Sequence, residues 1–214
     1  MNELSIDSLV LKLDGWSMFQ ENKNMKIWKN EFNDYLKVIF IPVQPDYPDN
    51  INDLTGLRIL YRNIITKEHG ALIEVDKVYY GDILLVKTIF KIPQEPTGFT
   101  YLGSFTLPMK DYCFVITAEC HELGMTGVRE CTVMVISEQI GLIPTGTLDG
   151  WSADPYDPEF NNCVLRNLSD DEKYDKDFPD HPLTRTRKIL NEILNNILLK
   201  EEIAFSVPFF SSLE

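Results

Sequence analysis

The chain has 214 residues, of which 44% are hydrophobic and 25% are charged. This composition is typical of a folded globular protein and excludes collagen-like, low-complexity and intrinsically disordered classes. The formal net charge is −13, which argues against a nucleic-acid partner because a phosphate backbone would be repelled. No linker-like stretch divides the sequence, so we expect one domain over residues 1–214.

The termini and the cysteines favour a cytoplasmic protein. Residues 1–16 lack the features of a secretory signal, and no window of about 18 apolar residues predicts a membrane span. The four cysteines form no Cys-x-x-Cys pair. Cys113 and Cys131 lie in apolar runs and are predicted to be buried thiols. Cys120 and His121 are neighbours that would point to opposite faces of a strand, so they do not predict a catalytic dyad.

The first half of the chain combines strands with one helix. Apolar and polar residues alternate at residues 9–13, which predicts a first strand. Residues 25–29 and 35–43 are predicted as the next two strands, and the second of these is rich in β-branched and aromatic residues. Residues 51–67 instead place their apolar side chains on one face of a helix. Asn50 or Asn52 can cap the start of that helix, because asparagine accepts a hydrogen bond from a free backbone amide there.

Residues 71–121 return to the strand pattern and predict two hairpins. The segments 71–80 and 83–93 flank Gly81-Asp82, a two-residue hairpin signal. The segments 100–107 and 112–121 flank a second short turn. Four strands joined by such tight connections are antiparallel, since parallel strands need long crossovers.

Residues 126–139 fit both a helix and a buried strand. We favour the helix, because Thr126 is a suitable N-cap and Gly141 is a suitable stop. A last helix is predicted over residues 182–200, with proline at its first position. Between these helices lies an acidic, proline-rich flap at residues 141–181. A loop of that length in a folded domain is usually functional or packs as an irregular segment.

This order of elements predicts an α+β fold. We expect an antiparallel sheet of about six or seven strands flanked by helices, an α/β/α sandwich, with a long acidic loop before the C-terminal helix. Residues 98–105 (GFTYLGSF) and the early pair Gly15-Trp16 resemble the PsbP/DcrB-like superfamily. The resemblance covers about residues 5–140 and rests on element order and a few aromatic and glycine positions. It implies a mostly non-catalytic family of photosystem accessory subunits, partners of small GTPases, and chaperones or adaptors of secreted effectors.

Signatures of common enzymes and cofactor-binding proteins are missing from the sequence. There is no P-loop, no dinucleotide fingerprint and no nucleophile elbow. His121-Glu122 does not extend to the zinc motif His-Glu-x-x-His, because its fifth position is Met125. With only three histidines, a multi-histidine metal centre would need nearly all of them to converge. We therefore predict no catalytic residue, no cofactor and no metal.

The segment 124–130 is the most motif-like stretch of the chain. If a helix begins there, free backbone amides of Thr126 and Gly127 together with Arg129 could hold an anion. The alternative, which we favour, is a tight turn that needs glycine, with Arg129 paired to a neighbouring carboxylate.

The flap holds a concentration of negative charge, with nine carboxylates against three basic residues between positions 154 and 180. It could be a calcium site, a docking surface for a basic protein, or a solvated loop. The calcium interpretation is the weakest, because the EF-hand glycine and terminal glutamate are missing. Aromatic residues interleave with the charges and either anchor a partner or pin the flap to the core. The candidate partner-binding residues are Trp151, Asp154, Tyr156, Asp157, Asp170, Asp171, Glu172, Tyr174, Asp175 and Asp177.

Two classes of function follow from these patterns. The leading hypothesis is a non-enzymatic interaction protein, an adaptor, chaperone or immunity-type protein, that binds a basic protein and neither nucleic acid nor membrane. The alternative is a hydrolase or transferase with an unrecognised site around His121, Glu122 and Arg129 and the flap.

Overall fold

The computed structural model describes residues 4–47 and 51–209. In chain order the strands are β1 (Leu9–Leu11), β2 (Ser17–Asn22), β3 (Met25–Lys29), β4 (Tyr35–Ile41), β5 (Ala71–Tyr80), β6 (Ile83–Pro93), β7 (Phe99–Pro108), β8 (Cys113–His121) and β9 (Ile197–Leu199). The α-helices are α1 (Leu54–Lys67), α2 (Val128–Gln139), α3 (Pro182–Asn196) and α4 (Glu201–Ala204). Three short 3₁₀ turns occupy residues 6–8, 168–170 and 172–174.

Two hairpins supply the four adjacent strands from the middle to one edge of a seven-stranded sheet, whose strand order is β2-β3-β4-β8-β7-β6-β5. All neighbours in this sheet are antiparallel. Gly81 has φ +60 in the turn between β5 and β6, a left-handed conformation that glycine adopts without steric cost. The short β1 and β9 form a separate two-stranded sheet.

Helices cover both faces of the large sheet. Along β6, Leu85 belongs to the cluster beneath α3, whereas its neighbour Val86 belongs to the cluster beneath α1, as expected for alternating side chains. Helix α3 crosses β7 at Gly103, where a Cβ atom would lie 2.4 Å from Thr186 and 2.9 Å from Leu190. Glycine therefore permits the close packing of this helix on the sheet.

The predicted α+β class and the predicted antiparallel sheet flanked by helices are confirmed. Both hairpins, the three helices and the strand at 25–29 lie close to their predicted bounds. Residues 126–139 contain a helix, as favoured. None of the described helices is both long and apolar enough to cross a bilayer.

Some boundaries and caps differ from the prediction. The N-cap of α1 is Asp53 rather than Asn52, while Asn50 lies outside the described residues. The N-cap of α2 is Gly127 rather than Thr126. Helix α3 ends at Asn196, four residues early, because Ile197 pairs with β1 in the small sheet.

Two strands were not predicted, β9 within the predicted last helix and β2. β2 lies at the end of the large sheet, and all six of its residues are exposed, including Phe19 within a bulge. A strand without a buried face has no alternation of apolar and polar residues, so its sequence carries no strand signal.

Candidate functional site

Helix α2 buries polar side chains and exposes apolar ones, the reverse of the usual pattern of a helix that packs on a core. Its buried residues are Arg129, Val133 and Ser137, which recur every four positions. Val128, Val135 and Ile136 lie on the exposed side. Cys131 is also exposed, so the prediction that it is a buried thiol was wrong. A helix whose apolar side chains face solvent is typical of a surface that another molecule covers.

Arg129 holds α2 against the flap. Its side chain is fully buried and donates hydrogen bonds to the backbone carbonyls of Ser169 and Asp171, to the Thr184 hydroxyl and to the Asp175 carboxylate. Buried charge is tolerated only when it is paired and hydrogen-bonded, and all three guanidinium nitrogens have partners here. The favoured interpretation of Arg129, pairing with a neighbouring carboxylate, agrees with this geometry.

The turn before α2 is already occupied by an anionic group of the protein itself. The Gly127 amide donates to one carboxylate oxygen of Glu122, and the Phe99 amide donates to the other. Gly127 has φ +75, which glycine accommodates. With Arg129 committed to the flap, the three residues predicted to bind an anion (Thr126, Gly127 and Arg129) do not present a free anion pocket in this structure. Anion binding by them stays an untested prediction.

The N-terminal half of the flap is fixed to α1 and β5. The Arg62 guanidinium makes a bidentate contact with the buried Asp154 carboxylate, at 3.1 Å to each oxygen, and a further contact of 2.9 Å with Asp157. The Tyr156 hydroxyl bonds both the amide and the carbonyl of Val75 at the outer edge of β5. The flap thus supplies polar groups that a neighbouring strand would otherwise provide.

The C-terminal half of the flap is fixed by a second set of buried charges. Asp170 and Lys91 are both fully buried and form an ion pair with each other. Arg187 of α3 donates to the Asp175 carboxylate and to the Asp170 carbonyl. These contacts use the flap carboxylates inside the protein, so much of the negative charge seen in the sequence serves the fold.

The predicted partner-binding residues therefore divide into internal and external groups. Trp151 is buried in a small cluster with Val133 and Ile143, and Tyr174 packs against that cluster. Asp154, Tyr156, Asp157, Asp170 and Asp175 contact the core as described above. Asp171 caps a 3₁₀ turn and pairs with Lys173. Glu172 and Asp177 are the exposed members of the predicted set.

Exposed apolar residues gather around α2. We define the apolar α2 surface as Leu123, Met125, Val128, Val135, Ile136 and Ile140, all of which are exposed. Met125 is 84% exposed and Ile140 is 68% exposed. Beside it, a cavity of about 290 Å³ is lined by Leu123, Met125 and Val128 together with Phe178, Pro179, Asp180 and His181.

A cluster of three ionisable side chains lies at this cavity. The His181 Nε2 atom is 3.7 Å from a Glu122 oxygen and 3.9 Å from a Glu130 oxygen. The buried Tyr101 hydroxyl donates to the same Glu130 oxygen at 3.3 Å. Burial tends to raise the pKa of Glu122, but His181 and the amides of Gly127 and Phe99 outweigh it, so this pKa is lowered. Burial raises the pKa of Tyr101 well above its usual range, and nearby carboxylates add to the effect.

The sequence did not identify this cluster, because His181 is distant along the chain from Glu122 and Glu130. Glu122 was named for the enzymatic alternative, beside His121. That histidine lies elsewhere, with Nδ1 2.9 Å from the Thr100 hydroxyl and Nε2 3.1 Å from Glu119. Of the residues named for the enzymatic alternative, Glu122 and Arg129 both line the cavity beside α2, whereas His121 does not.

Comparisons with known proteins give similarity in structure but not in sequence. No protein-family model matches the chain, and no curated protein matches it. The Ran-binding protein Mog1p of Saccharomyces cerevisiae matches with a TM-score of 0.47 and 8% identity, over 92% of this chain and 93% of that one. The PsbP protein (CyanoP) of Synechocystis sp. PCC 6803 matches with a TM-score of 0.38 and 9% identity, over 64% of this chain and 85% of that one.

A third solved structure, from Bacteroides thetaiotaomicron, matches with a TM-score of 0.38 and 8% identity over 57% of this chain. The chain spans only 41% of that protein. At these identities and TM-scores the similarity concerns the fold alone. They support no conclusion about function.

Proposed function

We propose that the protein is a non-enzymatic protein-interaction module that binds a basic partner protein. The contact area in this proposal is the apolar α2 surface, bordered by exposed acidic residues of the flap. The observation that carries the proposal is the inverted burial of α2, which exposes valine and isoleucine while it buries arginine and serine.

The apolar side chains supply the binding energy in this proposal. Burial of apolar area contributes about 25 cal/mol per Å², and exposed aliphatic clusters are typical of protein contact sites. Met125 adds a flexible, polarisable side chain that adapts to different partner shapes. The exposed apolar side chains and Met125 are not needed for the stability of α2, because Arg129 and Val133 already anchor the helix to the flap.

The charge supports a basic partner. Glu172, Asp177 and Asp180 are exposed on the segment that also contributes Phe178 and Pro179 to the cavity. Two lysines lie in the same segment, and Lys173 pairs with Asp171. The net charge of −13 extends the attraction beyond this segment, so it favours association with cations and makes the rate of binding dependent on salt.

The test is affinity purification of binding partners from native extract, with elution that leaves the tag behind. A matched pair of variants is compared with the wild type. Val135→Glu changes an exposed valine within the apolar α2 surface, whereas Val43→Glu makes the same change at an exposed valine after β4. We expect a basic protein to be recovered at low salt by the wild type and by V43E, and at least about tenfold less by V135E, because a buried unpaired charge opposes binding.

Cys131 supplies an independent footprint on the recovered complex. Its thiol is exposed on α2, while Cys163 is exposed on the flap away from the proposed contact. Alkylation of Cys131 should slow in the complex and alkylation of Cys163 should not. Recovery of the same partner by V135E, or equal alkylation of Cys131 with and without it, would contradict the proposal.

A further inference from the structure

We propose that Glu122, Glu130 and His181 form a binding site for a divalent transition-metal ion such as zinc. The site goes beyond the proposed interaction function and does not depend on it. Three observations carry it: the arrangement of three ligand atoms, two buried polar atoms without hydrogen-bond partners, and an adjoining cavity.

The ligand atoms have the spacing of a metal site. One oxygen of each glutamate and one histidine nitrogen lie within 4.8 Å of one another. Ligands about 2.1 Å from one tetrahedral ion are about 3.4 Å apart, so the observed 3.7 Å and 3.9 Å separations need to close only slightly. Those separations are too long for direct hydrogen bonds, which leaves room for an ion between the three groups.

Two buried polar atoms of this cluster lack partners among the described residues. Nε2 of His181 is the atom that faces both glutamates, and Oε2 of Glu130 is the other oxygen of the carboxylate whose Oε1 lies 3.9 Å from it. The His181 side chain is only 8% exposed. An unpartnered buried nitrogen or carboxylate oxygen is costly, and a bound cation would satisfy both.

The surrounding hydrogen bonds hold the glutamates in position. Glu122 is fixed by the amides of Gly127 and Phe99, and Glu130 by the Tyr101 hydroxyl. Each of these donors leaves further lone pairs on the carboxylate for an ion. Such outer contacts orient ligands and raise metal affinity.

The histidine must exchange its tautomer when the ion binds. Nδ1 of His181 accepts a hydrogen bond from the Leu183 amide at 3.3 Å, which leaves the ring proton on Nε2 in the metal-free protein. Coordination through Nε2 moves that proton to Nδ1 and gives up this long hydrogen bond. This exchange is a specific signature of metal binding at the site.

The ligand types select the class of ion. Two carboxylates and one imidazole suit zinc and similar transition metals better than calcium or magnesium, which prefer oxygen ligands alone. Glu122 and His181 line the cavity of about 290 Å³, so a fourth coordination position would face that space. Three protein ligands and one open position are typical of zinc sites that bind an exogenous group.

The test is a zinc titration of tag-free protein, followed by equilibrium dialysis with metal analysis. We expect one zinc ion per chain, with magnesium and calcium unable to compete at similar concentration. His181→Asn removes the ligand but keeps an N-cap acceptor for α3, and Glu130→Gln removes the negative charge of the carboxylate but keeps an oxygen that can accept from the Tyr101 hydroxyl. Each variant should weaken zinc binding at least about tenfold, with an unchanged circular dichroism spectrum.

His69→Asn is the matched control. His69 is exposed, remote from the cluster and at φ +56, a conformation that asparagine tolerates, so H69N should bind zinc like the wild type. The ¹⁵N signals of the His181 ring should shift at saturating zinc as the proton moves to Nδ1. Wild-type protein that binds no stoichiometric zinc, undiminished binding by H181N and E130Q, or an unchanged His181 ring spectrum would overturn the proposal.

Discussion

Helices α2 and α3 have similar lengths, but α3 buries several leucine and isoleucine side chains, whereas the only apolar residue that α2 buries is Val133. α3 packs Leu183, Leu190 and Ile193 onto the sheet and exposes polar residues such as Lys188. α2 buries Arg129 and exposes aliphatic side chains. The comparison shows that a helix can be anchored through one saturated guanidinium, which leaves its apolar residues available for another molecule.

The two helices are also attached to the sheet in different ways. α3 relies on apolar area and on the close approach at Gly103, both of which are local to the helix and the sheet. α2 is attached indirectly, through the flap, whose Asp170 and Asp175 are paired with cations from β6, α2 and α3. Stability on the α2 side should therefore depend on charge, and stability on the α3 side on packing.

The largest expected effect is at Arg129. Arg129→Met should lower the free energy of unfolding by about 3–5 kcal/mol, because it removes one partner of a buried ionic network. Urea denaturation would measure the loss, and hydrogen exchange should show the flap opening first. Lys188→Met removes an exposed cation from α3 and should change stability by no more than about 0.5 kcal/mol. If R129M loses less than about 1 kcal/mol of unfolding free energy, α2 is not held by its buried charge and the proposed difference between the two helices is wrong.

A second effect contrasts packing on the two helices. Leu190→Ala, at a fully buried position on α3, should cost about 2–5 kcal/mol through lost burial and the cavity left behind. Val135→Ala, on the exposed side of α2, should stay within about 0.5 kcal/mol of the wild type. Chemical denaturation of both variants at one pH measures the two losses in free energy of unfolding. Equal losses would mean that Val135 is part of the folded core.

The smallest expected effect is the loss of stability in acid that comes from Asp171 of the flap. Burial tends to raise the pKa of Asp171, but the Lys173 amide and the charges of Lys173 and Arg166 outweigh it, so this pKa lies below 3.8. The stabilisation is therefore present above the ordinary pKa and is lost as the pH falls through the folded value. Asp171→Asn should remove at most about 0.5 kcal/mol of it, because the exposed pair is screened by solvent.

An NMR titration of the Asp171 carboxyl group measures this pKa directly. Lys173→Met should move the value back towards 3.8, since the backbone amide remains but the charge is gone. A measured value at or above 3.8 in the wild type would contradict the expected direction.

Much of the sheet could be predicted from local patterns. The Gly81-Asp82 turn and the alternation on each side of it specify one hairpin without reference to the rest of the chain. The flap could not be predicted in this way. Lys91 and Asp170 are 79 positions apart, and Arg62 and Asp154 are 92 apart, so the sequence shows unpaired charges where the structure has partners. The same limit hid the Glu122, Glu130 and His181 cluster.

The attachment of Tyr156 to Val75 has a consequence for self-assembly. On the edge strand β5, the Val75 amide and carbonyl are occupied by Tyr156 of the flap, whereas β2 at the opposite end of the sheet is exposed along its whole length. Growth of a continuous sheet through many copies requires two free ends on each copy. A second copy that added a strand along β5 would have to displace the Tyr156 hydroxyl from Val75, so β2 is the less obstructed edge for pairing between copies.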